Sequence, residues 1–143
     1  MSTIEKAVEI AAKSHAGDVD KAGHPYLFHP LRLMFAVDSP LAKMAAVLHD
    51  VVEDTAVTLE DLQAEGFDQQ VIAAIDALTK RPGESRLAAA ARAAANPIAR
   101  VVKLADVTDN MDLSRIADPQ DKDFERLKEY VKVKQLLLQA AAE

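Results

Sequence analysis

Ala45-Ala46-Val47-Leu48-His49-Asp50-Val51-Val52-Glu53-Asp54-Thr55 sets one imidazole and three carboxylates within six residues, directly behind an apolar run. In a helix, successive residues turn by about 100°, so His49, Asp50, Glu53 and Asp54 would share roughly 140° of the circumference. An acidic face that carries a histidine and is backed by Ala-Val-Leu can hold a divalent cation over a packed core. His-Asp is a common dipeptide. Its weight here comes from two further elements, Tyr26-Leu27-Phe28-His29-Pro30 upstream and Val102-Lys103-Leu104-Ala105-Asp106 downstream.

The composition around these elements favours helices. Half of the 143 residues are hydrophobic but only 4% are aromatic, with alanine and leucine prominent, whereas strands prefer β-branched and aromatic side chains. The length suits one domain, residues 1–143, with a core of useful size. No cysteine is present, so neither disulfides nor thiolate metal ligands are available, which fits a reducing compartment. The start, Met1-Ser2-Thr3-Ile4-Glu5-Lys6, does not read as a signal peptide, and no apolar run reaches the ~18 residues of a membrane span. A soluble cytoplasmic protein is expected. The net charge of −6 argues against duplex nucleic acid as the main partner, while a bound cation and local Lys or Arg can still admit an anionic small substrate.

Outward from the central stretch, caps and breakers mark a series of short helices. Ser2-Thr3-Ile4-Glu5 reads as a capping box for a first helix lined by Ile4, Val8, Ala11 and Ala12 and stopped at Gly17. A polar loop over residues 18–25 leads to Pro30, which suits the first turn of a helix over 31–37. Ser39-Pro40 opens the helix that carries His49. Thr58 caps a helix over 59–65 closed by Gly66, and Asp68 caps the next, with Val71, Ile72, Ile75 and Leu78 as its buried stripe. Pro82-Gly83 makes residues 80–85 a loop. The alanine-rich 87–95 segment should be helical but weakly anchored. Asn96-Pro97 opens a helix to about Met111. After Pro119 a last helix runs over about 121–142, with Phe124, Leu127, Val131, Leu137 and Leu138 available for packing. No period-two strand pattern and no internal repeat occurs. An all-α domain of six to eight helices follows. The alanine-rich segment and the last helix could pack within the chain or against a second copy, so a homo-oligomer stays open.

Imidazole nitrogen and carboxylate oxygen together suit Mn²⁺, Fe²⁺, Mg²⁺ or Zn²⁺. The candidate ligands are His29, His49, Asp50 and Asp106, two imidazoles and two carboxylates from three separate helices or helix ends. Other readings exist for each: His29 as a helix cap or core histidine, Asp50, Glu53 and Asp54 as solvated acids, and Lys103–Asp106 as a structural pair. Asp106 follows Val101, Val102, Leu104 and Ala105, an apolar setting in which a charge is costly unless paired. Lys103 and Asn110 flank it at −3 and +4, on one helical face. Lys21, Arg32 and Lys43 are further cations, better read as solvated surface charge.

Taken together, a His, a His-Asp pair and a later Asp resemble the metal signature of the HD phosphohydrolase superfamily. More narrowly, the chain resembles the hydrolase domain of RelA/SpoT-type enzymes, which remove pyrophosphate from the 3′ position of guanosine tetra- and pentaphosphate. The matching elements are His15-Ala16-Gly17, Gly23-His24-Pro25-Tyr26-Leu27-Phe28-His29-Pro30, Leu48 to Thr55, and Lys103-Leu104-Ala105-Asp106 followed by Asn110-Met111. The resemblance implies an HD-type helical domain and one divalent metal per chain, Mn²⁺, held by His29, His49, Asp50 and Asp106. It implies that Glu53 and Asp54 serve the attacking water, and that Lys21, Tyr26, Lys103 and Asn110 contact a phosphorylated nucleotide.

Departures cluster where such enzymes read their nucleotide. Asp20-Lys21-Ala22 stands in place of the usual Arg-Lys-Ser, and Val107-Thr108-Asp109-Asn110-Met111-Asp112-Leu113 in place of Arg-x-His-Asn-x-Arg-Thr. Losing the arginine before Lys21 removes a planar cation able to stack on a base. The leading expectation is a metal-dependent phosphohydrolase that acts on guanosine polyphosphate. The alternatives are an HD hydrolase for another phosphorylated nucleotide or metabolite, and a non-catalytic HD-fold binding module.

Overall fold

Short polar side chains determine where the helices begin, each accepting backbone N–H groups that the first turn leaves without partners. In the computed structural model, which describes residues 1–143, Thr3 accepts from Lys6 N (3.2 Å) at the start of α1, Ile4–Ser14. Ser39 does the same for α3, Pro40–Val47, and Ser85 for α7, Arg86–Ala94. Thr58 and Asp61 form a reciprocal capping box on α5, Leu59–Ala64. Asp68 caps α6, Gln69–Leu78, and Asn96 accepts from both Ile98 N and Ala99 N at the start of α8, Pro97–Asn110. The remaining segments are α2, Phe28–Ala36, the single turn α4, Val51–Asp54, and α9, Asp121–Ala142. Eight helices of six residues or more and one isolated turn make the protein all-α; its only β feature is a bridge between Val19 and Pro25. No helix is long and apolar enough to cross a membrane.

α3 is the hub. Ala42, Met44, Ala45, Ala46, Val47 and Leu48 are all buried, and the helix packs on α1, α2, α6 and α8. Four helices can surround it closely because three of those residues are alanines. A smaller cluster of Ala90, Ala94, Val107, Val133 and Leu137 joins α7, α8 and α9.

Five expectations change. The cap of α1 is Thr3 rather than Ser2, because the Ser2 N–H donates to Gly66 O (2.8 Å) and is held in the turn before α6. α2 begins at Phe28, before Pro30; proline is tolerated there because first-turn N–H groups have no helical acceptor. The 87–95 segment is firmly anchored. Arg92 donates to both Glu84 oxygens (2.8 and 2.9 Å) and to the carbonyls of Asp76, Ala77 and Thr79 at the end of α6. Phe124, Val131 and Leu138 of α9 face outward, while Tyr130, Val133 and Leu137 face the core.

The fifth change matters most. His49 and Asp50 lie in a turn between α3 and α4, not on one continuous helix. The carbonyl of Ala46, which would accept the Asp50 N–H in an unbroken helix, instead receives His49 N (3.3 Å) and His49 Nδ1 (2.8 Å). Val51 N reaches only to Leu48 O (3.2 Å), tightening the chain. The turn swings His49 and Asp50 into the interior, where both are buried.

The register of α9 can be checked by truncating adjacent leucines. Leu137→Ala, at a fully buried position, should cost roughly 2–5 kcal/mol in chemical denaturation. Leu138→Ala, at a position 50% exposed, should stay within about 0.5 kcal/mol of the unsubstituted chain. Equal losses would place α9 in another register.

Candidate metal centre and active site

α2, the turn after α3, and α8 converge on one point. They bring His29, His49 and Asp106 together so that one ligand atom from each lies within 4.8 Å of the others. All three residues are buried. His29 Nε2 is 2.9 Å and His49 Nε2 is 3.7 Å from the same oxygen, Asp106 Oδ1. The Nδ1 of His49 donates to the Ala46 carbonyl, so Nε2 is the ring nitrogen that faces Asp106. Two imidazole nitrogens and a carboxylate oxygen, buried and convergent, are a donor set that fits a divalent cation of borderline softness.

Asp50 lies beside this trio rather than within it. Its Oδ2 is 3.7 Å from His49 Nε2 and accepts the Tyr26 hydroxyl, while its Oδ1 is 3.2 Å from His15 Nε2. Burial and the Asp50 charge push the Tyr26 pKa up, keeping the hydroxyl a donor. Burial would raise Asp50, but the charge of His49 and the groups of His15 and Tyr26 outweigh it and bring the carboxyl down to about 2. Asp106 is likewise held well below the carboxylate range: Lys103, His29 and His49 overcome its burial. His29 moves the other way. Burial disfavours its charge, but hydrogen bonds to Asp106 and Asp109 prevail and raise it to about 9.

Glu53 and Asp54 line the same cavity, of about 320 Å³, on the one-turn helix α4. Glu53 Oε1 accepts Lys80 N (2.6 Å), which ties α4 to the loop after α6. Burial, together with the charges of Asp50 and Glu53, lifts the Asp54 carboxyl above its ordinary value, as suits a group that exchanges a proton. Lys103 Nζ and Asn110 Nδ2 both donate to Asp106 (3.1 Å each), so the structural-pair reading of Lys103 is realised even though both residues line the cavity. A second cavity, of about 270 Å³, shares Tyr26, His29, Asn110 and Tyr130 as walls. Lys21 lies there, away from the trio.

Several residues near the site carried no usable sequence signal. Arg32, read as surface charge, makes a two-pronged contact with Asp109, and Lys43 caps the end of α2 through the carbonyls of Met34 (3.1 Å) and Val37 (2.6 Å). Arg86 of α7 lies over the Tyr130 ring of α9, 4.8 Å from its centroid. Arg115 and Arg126 line the second cavity. Arg32, Arg115 and Arg126 thus bring positive charge to the wall of the second cavity, each paired with an aspartate. Only the periodicity of α8, with Asp109 three residues after Asp106, could have linked any of these to the site.

Because the folded pKa of His29, about 9, exceeds its ordinary 6.5, the ion-paired imidazole stabilises the metal-free fold fully below pH ~6.5. That contribution is lost as the pH rises through about 9. A cation needs the neutral ring, so it competes with this proton. Thermal melts of chelator-treated protein should therefore show the Tm gain from Mn²⁺ growing between about pH 6.5 and 8.5. A gain independent of pH would detach His29 from the metal.

The HD domain family profile matches residues 6–111. A GTP pyrophosphokinase of Streptomyces coelicolor (strain ATCC BAA-471 / A3(2) / M145) is 37% identical over 121 residues, 76% of this chain and 14% of that protein. A guanosine-3′,5′-bis(diphosphate) 3′-pyrophosphohydrolase of Borreliella burgdorferi (strain ATCC 35210 / DSM 4680 / CIP 102532 / B31) is 40% identical over 82 residues, 54% of this chain and 12% of that protein. The chain thus spans less than a fifth of the length of either relative. A solved structure described as a metazoan ortholog of SpoT that hydrolyzes ppGpp superposes with a TM-score of 0.80. It covers 96% of this chain and 86% of that one at 23% identity, a likeness of fold. From its matched residues and its helical architecture, this chain belongs to the HD domain family.

Proposed function

We propose that the protein is a metal-dependent phosphohydrolase that removes pyrophosphate from the 3′ position of guanosine 3′,5′-bis(diphosphate). The observation that carries this reading is the convergence of His29, His49 and Asp106 with Glu53 and Asp54 on one cavity. The named activity of the Borreliella burgdorferi relative supports it. His29, His49 and Asp106 would hold the cation, Mn²⁺ on this reading, with Asp50 as the fourth side chain of the set and its second carboxylate. When bound, the metal supplies Lewis-acid charge and lowers the pKa of the water it coordinates.

The remaining work falls to side chains. Asp54, whose pKa is raised, takes a proton from the attacking water, and Glu53, held by Lys80 N, orients that water. The water oxygen bonds to the phosphorus next to the 3′ oxygen, the bond from that phosphorus to the 3′ oxygen breaks, and the 3′ oxygen takes up a proton. The products are GDP and pyrophosphate. Lys103 and Asn110 present donors at the phosphate side of the cavity. The second cavity, with Lys21, Arg115 and Arg126 on its walls, adjoins the first and would receive the 5′ side of the nucleotide.

A second reading, hydrolysis of another phosphorylated nucleotide or metabolite, is favoured by one observation. Asp20 and Asp112, at positions where this branch carries arginine, turn inward to their own loops: Asp20 accepts Ala22 N and His24 N, and Asp112 accepts Ser114 N, each at 2.9 Å. Neither offers positive charge to a guanine nucleotide.

The deciding assay is Mn²⁺-dependent pyrophosphate release from guanosine tetraphosphate. The unsubstituted chain should turn over, Asp54→Asn should lose about 10²–10⁴ in kcat, and His49→Ala should lose Mn²⁺ binding and turnover together. Protein that binds Mn²⁺ but releases no pyrophosphate would reject the guanosine substrate and turn the search to other phosphorylated nucleotides.

A further inference from the structure

The far side of the proposed metal centre holds a charged group with no part in the ligand set. Asp109 of α8 lies one turn beyond Asp106, and its Oδ2 is 2.6 Å from His29 Nδ1, the ring nitrogen opposite the one that faces Asp106. The Asp109 side chain is 13% exposed, too buried to be merely a solvated acid. Two arginines converge on it. Arg32 of α2 donates from Nε to Oδ1 (2.8 Å) and from its terminal nitrogen to Oδ2 (2.9 Å). Arg115, in the loop between α8 and α9, reaches Oδ2 at 3.4 Å and the Asp109 carbonyl at 3.1 Å.

We propose that Asp109 is a positioning residue for the metal centre, holding His29 through Nδ1 so that Nε2 is presented to the cation, with Arg32 and Arg115 holding Asp109 in turn. The proposal rests on the metal-dependent reading above. His29 is the ligand most in need of such a clamp. His49 has its tautomer set by the Ala46 carbonyl within its own turn, whereas no backbone carbonyl accepts from the His29 ring. A neutral imidazole carries one proton on one of its two nitrogens. A carboxylate at Nδ1 keeps the proton there and frees Nε2. The two-pronged arginine contact explains why the carboxylate stays in place: Arg32 leaves it little rotational freedom, and both cations offset its burial. The helix that supplies the ligand Asp106 thereby also orients the ligand His29.

A purely structural Asp109, joining α2 to α8 through Arg32, would lower stability without changing metal affinity. Calorimetric titration of chelator-treated protein with MnCl₂ separates the two roles. Asp109→Ala should weaken Mn²⁺ binding by about 10–100-fold. Asp109→Asn, which keeps the shape and an oxygen acceptor but not the charge, should fall between Ala and the unsubstituted chain. Arg92→Ala, which breaks the remote pair with Glu84, serves as the stability control: it should lower Tm and leave Mn²⁺ affinity unchanged. The absorption spectrum of Co²⁺ bound to Asp109→Asn should also shift, since the field of the His29 nitrogen changes.

Asp109→Ala binding Mn²⁺ within about threefold of the unsubstituted chain would overturn the proposal while leaving the metal centre intact. Should Asp109→Ala not fold, Asp109→Asn decides, and unchanged affinity and an unchanged Co²⁺ spectrum would overturn it equally. An unsubstituted chain that binds no Mn²⁺ would remove the metal reading and this proposal with it.

Discussion

A buried carboxylate sets the terms for the rest of the structure. Asp106 lies on α8 among apolar neighbours, where an unpaired negative charge would cost several kcal/mol. Its oxygens are met by Lys103, Asn110 and His29, with His49 slightly farther away. These partners come from one face of α8, from the first turn of α2 and from the turn after α3. Satisfying Asp106 therefore fixes how three elements approach one another. A divalent cation in place of the proton between His29 and Asp106 would add one positive charge, which the carboxylate of Asp50 beside His49 is placed to offset.

The route of the chain between α3 and α4 has the same origin. A continuous helix would spread His49, Asp50, Glu53 and Asp54 over one broad face. The turn at Leu48–Asp50 separates them by role instead. His49 and Asp50 go inward beside Asp106, while Glu53 and Asp54 stand on a separate short turn at the wall of the same cavity. The imidazole of His49 drives the break by taking the Ala46 carbonyl from the helical ladder. One side chain thus ends a helix, has its own tautomer chosen, and becomes available as a ligand.

Charge near the site is balanced locally rather than stripped away. The chain carries a net −6, yet Arg32 and Arg115 meet Asp109, and Arg126 meets Asp123 at the edge of the second cavity. Lysines and arginines that are scattered in sequence collect around the two cavities. An anionic substrate is therefore compatible with an acidic protein, because the potential that matters is that of the pocket.

Fold class and most helix starts were legible in the residues because both depend on local chemistry. Serine, threonine, asparagine and aspartate cap helices a few atoms away, and the alanine-rich, aromatic-poor composition leaves little to build a sheet. The grouping of His29, His49 and Asp106 was legible only through the resemblance to the HD signature, since no local periodicity links residues so far apart in sequence. Which residues meet across the core was not. Asp50 turns to Tyr26 and His15, Arg32 finds Asp109 seventy-seven positions away, and Arg92 anchors an alanine helix whose own side chains predicted loose packing. The face that α9 buries was misjudged as well, since Phe124 and Leu138 are as apolar as Leu137. Local periodicity says that a helix has an apolar stripe. Which stripe is covered, and which ion finds which partner, follows from the packing of distant segments, where the cost of a buried unpaired charge or an unfilled space selects one arrangement among many that the chain could locally adopt.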